Sequence, residues 1–284
     1  MIHSTIVSTE TLAAHLDDPQ WVIVDCRFEL LDPPWGFESY KQGHIPGAVY
    51  ASLDNDLAGP VSLETGRHPL PEEREFVARA SRWGIEPGRQ VVAYDTVSGA
   101  FAARLWFLLR LYGHDVVAVL DGGFGKWLAE GRSIRTGIEE RPPAKFNARM
   151  QPSMYVTSQE VNSLRLDPRY RIIDARSPIR YQGEQEPIDP VAGHIPGAIN
   201  RFHGENLSPD GTLLPPEQLR RQFLDLLDGV PPENSIVYCG SGVTSCFHLL
   251  AMEYAGLKPG LLYAGSWSEW IRDPSRPVKT GPNP

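Results

Sequence analysis

The sequence is poor in the features that mark several large classes of protein. It has 3 cysteines in 284 residues (Cys26, Cys239 and Cys246), with no Cys-x-x-Cys pair and no His/Cys cluster at zinc spacing. That argues against a disulfide framework or a bound metal and for a reducing, cytoplasmic setting. No apolar run approaches the roughly 18 residues of a membrane-spanning helix. Met1-Ile2-His3-Ser4-Thr5 lacks the basic and apolar regions of a signal peptide. Basic charge is also in deficit: 27 Lys and Arg face 35 Asp and Glu, for a net charge of −8 and a pI near 5.5. Such a balance disfavours a phosphate-tracking surface, so neither nucleic acid nor membrane is an expected partner. Gly122-Gly123-Phe124-Gly125 lacks both the Walker lysine and the G-x-G-x-x-G spacing, and no cofactor is expected. What is present is an ordinary globular composition, 41% hydrophobic and 22% charged, at a length that suits one large domain or two of about 100–150 residues.

The chain repeats itself. Gly43-His44-Ile45-Pro46-Gly47-Ala48 recurs as Gly193-His194-Ile195-Pro196-Gly197-Ala198. Upstream of each block an apolar run ends in an acid and an arginine, Val22-Ile23-Val24-Asp25-Cys26-Arg27 and Ile172-Ile173-Asp174-Ala175-Arg176. Downstream, Val91-Val92-Ala93-Tyr94-Asp95 is matched by Ser235-Ile236-Val237-Tyr238-Cys239, and Asp121-Gly122-Gly123-Phe124-Gly125-Lys126-Trp127 by Ala264-Gly265-Ser266-Trp267-Ser268-Glu269-Trp270. Four blocks in one order imply two homologous domains, expected over 1–140 and 153–284 with a polar, proline-containing linker over 141–152. Within each half, buried strands over 91–94 and 236–238 precede helices over 100–112 and 243–254. These helices stop at Gly113 and Gly256, and further strands follow over 116–120 and 261–263. This alternation predicts an α/β fold in which each domain is a mainly parallel sheet flanked by helices. Ligands of such sheets lie at the carboxyl ends of the strands, which is where Cys239 falls.

Cys239-Gly240-Ser241-Gly242-Val243-Thr244 joins a strand to a helix. Two glycines allow a sharp turn in which successive N–H groups converge on one point, and the helix N-terminus adds partial positive charge. A cysteine held there is expected to ionise near neutrality and to act as a nucleophile, with Gly240, Ser241, Gly242, Val243 and Thr244 forming the cradle of a bound anion. The competing reading is a buried cysteine acting as a small hydrophobe, which would not call for a Gly-x-Gly turn behind it.

The paired G-H-I-P-G-A blocks, the Cys-Gly-Ser-Gly-Val-Thr loop and the terminal Gly-Ser-Trp-Ser-Glu-Trp resemble the two-domain rhodanese family of sulfurtransferases over essentially the whole chain. The resemblance implies transfer of a sulfane sulfur from thiosulfate or 3-mercaptopyruvate onto Cys239 as a persulfide. From there it would pass to an acceptor such as cyanide, a thiol or thioredoxin. It also implies a first domain without the cysteine, and Asp95 indeed stands at the place of Cys239, before a turn, Thr96-Val97-Ser98-Gly99, that lacks the Gly-Ser-Gly order. The neutral Gly240-Ser241 pair is similar to the mercaptopyruvate enzymes, whereas thiosulfate-specialised members have Cys-Arg-Lys-Gly-Val-Thr. Ser241 either relays a proton or contacts the substrate carbonyl, or else only shapes the loop.

Arg180 matches the family's substrate arginine. A second arginine, usual in the mercaptopyruvate enzymes about nine residues on, is missing from Glu186-Pro187-Ile188-Asp189. Arg201 is the candidate to replace it, against a reading as an exposed structural arginine. His44 and His194 are expected as structural turns, with a substrate contact from His44 as the alternative; Asp32 is a weaker acidic candidate. Asp174 is expected to accept loop N–H groups or to orient Arg180. Cys246 and Cys26 are expected to be core, and Trp267 and Trp270 to wall the loop or to pack beneath the last strand. A phosphatase loop would need an arginine six positions after Cys239, where Ser245 stands. A partner-binding module without activity would not need to retain the cysteine cradle.

Overall fold

Runs of Val, Ile and Leu that are too short for helices form strands with both faces covered, the pattern of a parallel sheet. In the computed structural model, which describes residues 2–96 and 99–284, such strands occur in two compact units. One comprises Met1–Gly59, Leu70–Gln151 and Leu207–Leu213; the other comprises Pro60–Pro69, Pro152–Asn206 and Leu214–Pro284.

The first unit holds β1 (Ile6–Val7), β2 (Trp21–Asp25), β3 (Ala48–Tyr50), β4 (Gln90–Tyr94) and β5 (Val117–Leu120), all parallel, in the order β1-β5-β4-β2-β3. The second holds β6 (Tyr155–Val156), β7 (Arg171–Asp174), β8 (Ala198–Asn200), β9 (Ser235–Tyr238) and β10 (Leu261–Tyr263), again parallel and in the equivalent order β6-β10-β9-β7-β8. Both sheets are flanked by helices, as expected. The helices after β4 and β9 run over Ala102–Leu111 and Ser245–Tyr254. Each starts two residues later than the apolar pattern suggests, because the preceding loop turns around the side chain at the strand end.

Each sheet carries the same buried ion pair at the carboxyl end of its β2 or β7 strand. Asp25 accepts the Arg27 N–H at 2.9 Å and its guanidinium at 2.6–3.0 Å, and Arg27 Nη2 donates to the Gly43 carbonyl at 2.7 Å. Asp174, Arg176 and the Gly193 carbonyl repeat this arrangement. The two repeated sequence blocks of each half are therefore one device: the acid and arginine at the strand end grip the turn that follows. Burial works against the charge on Arg176, but Asp174 and Glu186 outweigh it and hold the guanidinium above its ordinary pKa. Arg176→Met should leave the buried Asp174 carboxylate unpaired and cost about 3–5 kcal/mol, seen as a lower midpoint of urea unfolding. Lysine should restore little, since it lacks the planar fork that reaches both Asp174 and Gly193.

Candidate functional site

Strand β9 delivers Cys239 to its carboxyl end, and the loop after it is fastened to the helix Ser266–Trp270. The Cys239 N–H donates to Ser266 Oγ at 3.1 Å, while the carbonyls of Cys239 and Gly240 accept the N–H groups of Trp267 and Ser268 at 3.0 and 2.9 Å. Gly242 turns with φ 75°, and a Cβ there would run into the Ala264 carbonyl. Glycine is needed at this point on both counts. The thiol is buried. Burial alone raises its pKa, but the donors beside it, the Thr244 hydroxyl first and then the N–H groups of Ser241 and Ser245, outweigh it and bring the thiol below the usual cysteine value. Cys26 is the opposite case: burial and then Asp25, Asp95 and Asp56 push its thiol well up. Cys246 is buried and donates to the Gly242 carbonyl at 3.4 Å.

Arginines and carboxylates surround this loop in an interlocked set. Arg180, on the short helix Pro178–Tyr181, donates from Nε and Nη2 to Glu186 at 2.7–3.1 Å and from Nη2 to Asp189 at 3.2 Å. Glu186 also accepts Arg176 Nη1 at 3.2 Å and the N–H groups of Ile188 and Asp189. Burial would raise the Glu186 pKa, yet Arg180 and these N–H groups bring it below the ordinary carboxylate value. Burial dominates at Asp189, whose pKa is raised despite the guanidiniums of Arg67 and Arg180.

Two further side chains reach this loop, Arg67 and His68, neither of which belongs to a motif of the sequence. Arg67 pairs through Nη1 with Asp189, and His68 Nδ1 shares a 2.7 Å hydrogen bond with Ser241 Oγ. A Cβ built on Gly240 would lie 2.9 Å from Arg67 Nη2 and 3.6 Å from both terminal nitrogens of Arg180. The structure thus brings Cys239, its loop and Arg180 together as expected, and adds Arg67, His68, Glu186 and Asp189. A local signal for the first two exists: Gly66-Arg67-His68-Pro69 sets a cation and an imidazole side by side between a glycine and a proline.

Several expectations need correction. Arg201 is not an exposed arginine: it is 6% exposed, donates from Nη2 to Asn206 and Gln222 at 3.0 Å, and lies over the Phe223 ring. Its engaged guanidinium makes it a structural residue rather than a replacement for the missing arginine. His44 is fully buried. It donates from Nδ1 to the Tyr40 carbonyl at 2.8 Å and stacks on the Tyr40 ring, so it offers no surface to a substrate; His194 repeats this on Tyr181. Asp174 does accept the Arg176 N–H but meets Arg180 only through Arg176 and Glu186. Trp267 and Trp270 are buried; Trp267 lies against the Arg176 guanidinium at 4.8 Å and donates to the Val191 carbonyl. Asp32 is exposed in the first unit.

In the first unit the place of Cys239 is taken by Asp95, whose carboxylate accepts the N–H groups of Gly99, Phe101 and Ala102 at 2.6–2.8 Å. The strand-end nest is therefore filled by the protein's own anion. Val97 and Ser98 of the turn lie outside the described residues. Among the described residues, no group of three or more His, Cys, Asp or Glu side chains is placed to hold a metal ion, and no helix is long and apolar enough to cross a membrane.

Two parallel sheets of one topology, with a cysteine at a strand end, define the class. The chain matches the rhodanese-like domain twice, over residues 8–130 and 157–273, and it belongs to the rhodanese family. It is similar along 99% of its length to the whole of the "Probable 3-mercaptopyruvate sulfurtransferase" of Pseudomonas aeruginosa, at 45% identity. It is also similar to the thiosulfate/3-mercaptopyruvate sulfurtransferase 1 of Arabidopsis thaliana, at 31% identity over 97% of this chain and 78% of that one. The solved 3-mercaptopyruvate sulfurtransferase of Leishmania major superposes with a TM-score of 0.83 at 30% identity, over 94% of this chain and 74% of that one. The protein is an enzyme of the sulfurtransferase class.

Removing a donor to the sulfur tests the electrostatics directly. Thr244→Val should raise the pKa of Cys239, so the pH profile of its alkylation by iodoacetamide, followed by peptide mass mapping, should move to higher pH. An unmoved profile would mean that the Thr244 hydroxyl does not support the thiolate.

Proposed function

We propose that Cys239 is the nucleophile of a sulfurtransferase that takes its sulfur from 3-mercaptopyruvate. The observation that carries this reading is the buried thiol at the carboxyl end of β9, before the head of the helix Ser245–Tyr254, with its pKa lowered by the donors of its own loop. The thiolate attacks the donor sulfur, the carbon–sulfur bond breaks, and its electron pair leaves with the pyruvate enolate. The donor's thiol proton ends on that carbon, leaving pyruvate and a Cys239 persulfide anion. Ser241, hydrogen-bonded to His68, is placed to pass this proton. The persulfide keeps the charge of the thiolate, so the same N–H and hydroxyl donors stabilise it before and after transfer. Cyanide then removes the outer sulfur as thiocyanate, or a thiol such as that of thioredoxin removes it as a new persulfide, and the thiolate returns. The loop residues Gly240, Ser241, Gly242, Val243 and Thr244 cradle the sulfur, and Arg180 binds the donor's carboxylate. In this reading residues 153–284 are the catalytic domain, joined by Pro60–Pro69, 141–152 the linker, and the rest of 1–140 the non-catalytic domain, whose nest is closed by Asp95. A reducing, cytoplasmic setting would keep the three cysteines, none of them in a disulfide, as thiols.

Charge supports the donor. Around the loop, Arg67, Arg176 and Arg180 face Asp174, Glu186 and Asp189, so cations and anions are equal in number. A balanced set suits the single carboxylate of 3-mercaptopyruvate better than the dianion thiosulfate, for which the neutral Gly240-Ser241 pair adds no cation. Incubation with 3-mercaptopyruvate should add the mass of one sulfur atom to the intact protein, removable by cyanide. Cys239→Ser should remain folded, gain no sulfur and lose turnover. 3-Mercaptopyruvate should exceed thiosulfate in kcat/KM, and Arg180→Ala should lower it for both donors. Persulfide formation on Cys239→Ser would overturn the assignment of the nucleophile, and a thiosulfate preference would overturn that of the donor.

A further inference from the structure

We propose that Arg67 is the second cation of the donor site, held in place by Asp189, and that it selects donors bearing a carboxylate. The inference rests on the reading of Cys239 and Arg180 given above. The position at which a second arginine is missing carries Asp189 instead, and this acid bridges two guanidiniums: one oxygen takes Arg67 Nη1 and the other takes Arg180 Nη2. With Glu186 also occupying Nε and Nη2 of Arg180, one terminal nitrogen of each arginine has no hydrogen-bond partner among the described residues. They are Arg67 Nη2 and Arg180 Nη1, and both lie beside the Cα of Gly240, the residue that follows the nucleophile. A side chain at 240 would enter the space between them and the loop and press first on Arg67 Nη2.

The backbone around Arg67 is anchored as well. Its N–H donates to Ser268 Oγ at 3.0 Å, and Gly66 packs so closely on the Gly265 carbonyl that a Cβ would collide with it. The Ser268 N–H in turn holds the Gly240 carbonyl at 2.9 Å, so Arg67 and the loop it faces are tied to the same residue. An arginine whose carboxylate partner is 3% exposed at the side chain while it remains 25% exposed itself has one end fixed and one end open. Two unengaged guanidinium nitrogens at one point are suited to fork onto the two oxygens of one carboxylate. Asp189 is accordingly a positioning residue, and Arg67 a specificity-determining one.

The test compares 3-mercaptopyruvate with 1-mercaptopropan-2-one, the same mercaptoketone with a methyl group in place of the carboxylate. Arg67→Met should raise KM for 3-mercaptopyruvate by about ten- to a hundredfold with a much smaller change in kcat, and the ratio of kcat/KM between the two donors should fall by a similar factor. Arg67→Lys should fall between wild type and methionine, because it keeps the charge and loses the fork. Asp189→Asn should raise KM less than Arg67→Met, and the double variant should be no worse than Arg67→Met alone. Equal losses on both donors would show a merely structural role and overturn the proposal, as would an unchanged KM in an Arg67→Met protein with wild-type melting behaviour. If the wild-type protein transfers no sulfur from 3-mercaptopyruvate to Cys239, the functional reading fails and this inference with it. If wild type transfers sulfur and Arg67→Met matches it, only the inference fails.

Discussion

The pair between Asp174 and Arg176 supports everything built above the second sheet. Two charges withdrawn from water are costly unless each is paired and hydrogen-bonded, and here one guanidinium spends its donors on Asp174, the Gly193 carbonyl and Glu186. The first contact closes the strand end, the second fixes the Gly193–Ala198 turn, and the third passes the charge order on to Arg180. The first sheet keeps the equivalent pair, Asp25 with Arg27, together with its grip on Gly43. The pair is thus a requirement of the fold that the second unit extends into a site through Glu186.

The two units also share a strand-end nest and use it in opposite ways. Parallel strands followed by a turn and a helix gather N–H groups at one point, and such a point needs an anion. In the first unit the chain supplies one permanently, the carboxylate of Asp95. In the second the corresponding side chain is a thiol, which the same kind of donors bring below its ordinary pKa and which, in the function proposed above, would accept and release a sulfur atom. The different chemistry of the halves therefore follows from one side chain at equivalent places in equivalent sheets. Cys26 shows how far surroundings govern a thiol: beside three carboxylates, it is driven toward the neutral form.

The α/β class, the two repeats and the strand–loop–helix around Cys239 were legible because each is a local pattern. A strand buried on both faces is apolar along most of its length, as β2 is up to the Asp25 at its end and β9 is after Ser235, and a nest needs glycine at a left-handed position such as Gly242. The helix starts were placed two residues early, since apolar periodicity at Ala100 and Val243 does not show that these residues wrap a side chain at the strand end. An arginine after a strand usually reaches water, whereas Arg201 is buried; only the folded chain places Asn206, Gln222 and Phe223 around it.

By itself the sequence determined the duplicated architecture, the cysteine at a strand end with its glycine turn, and the absence of an arginine at 189. The tertiary structure alone decided what meets Asp189. Arg67 and His68 lie in Pro60–Pro69, a segment that packs with the second unit although it precedes most of the first in the chain. Hydrophobic period and turn chemistry report how a residue relates to its near neighbours. They carry no information on which distant segment supplies the partner of a buried carboxylate, because that is set by the packing of Gly66 on Gly265 and by the hydrogen bond from Arg67 to Ser268.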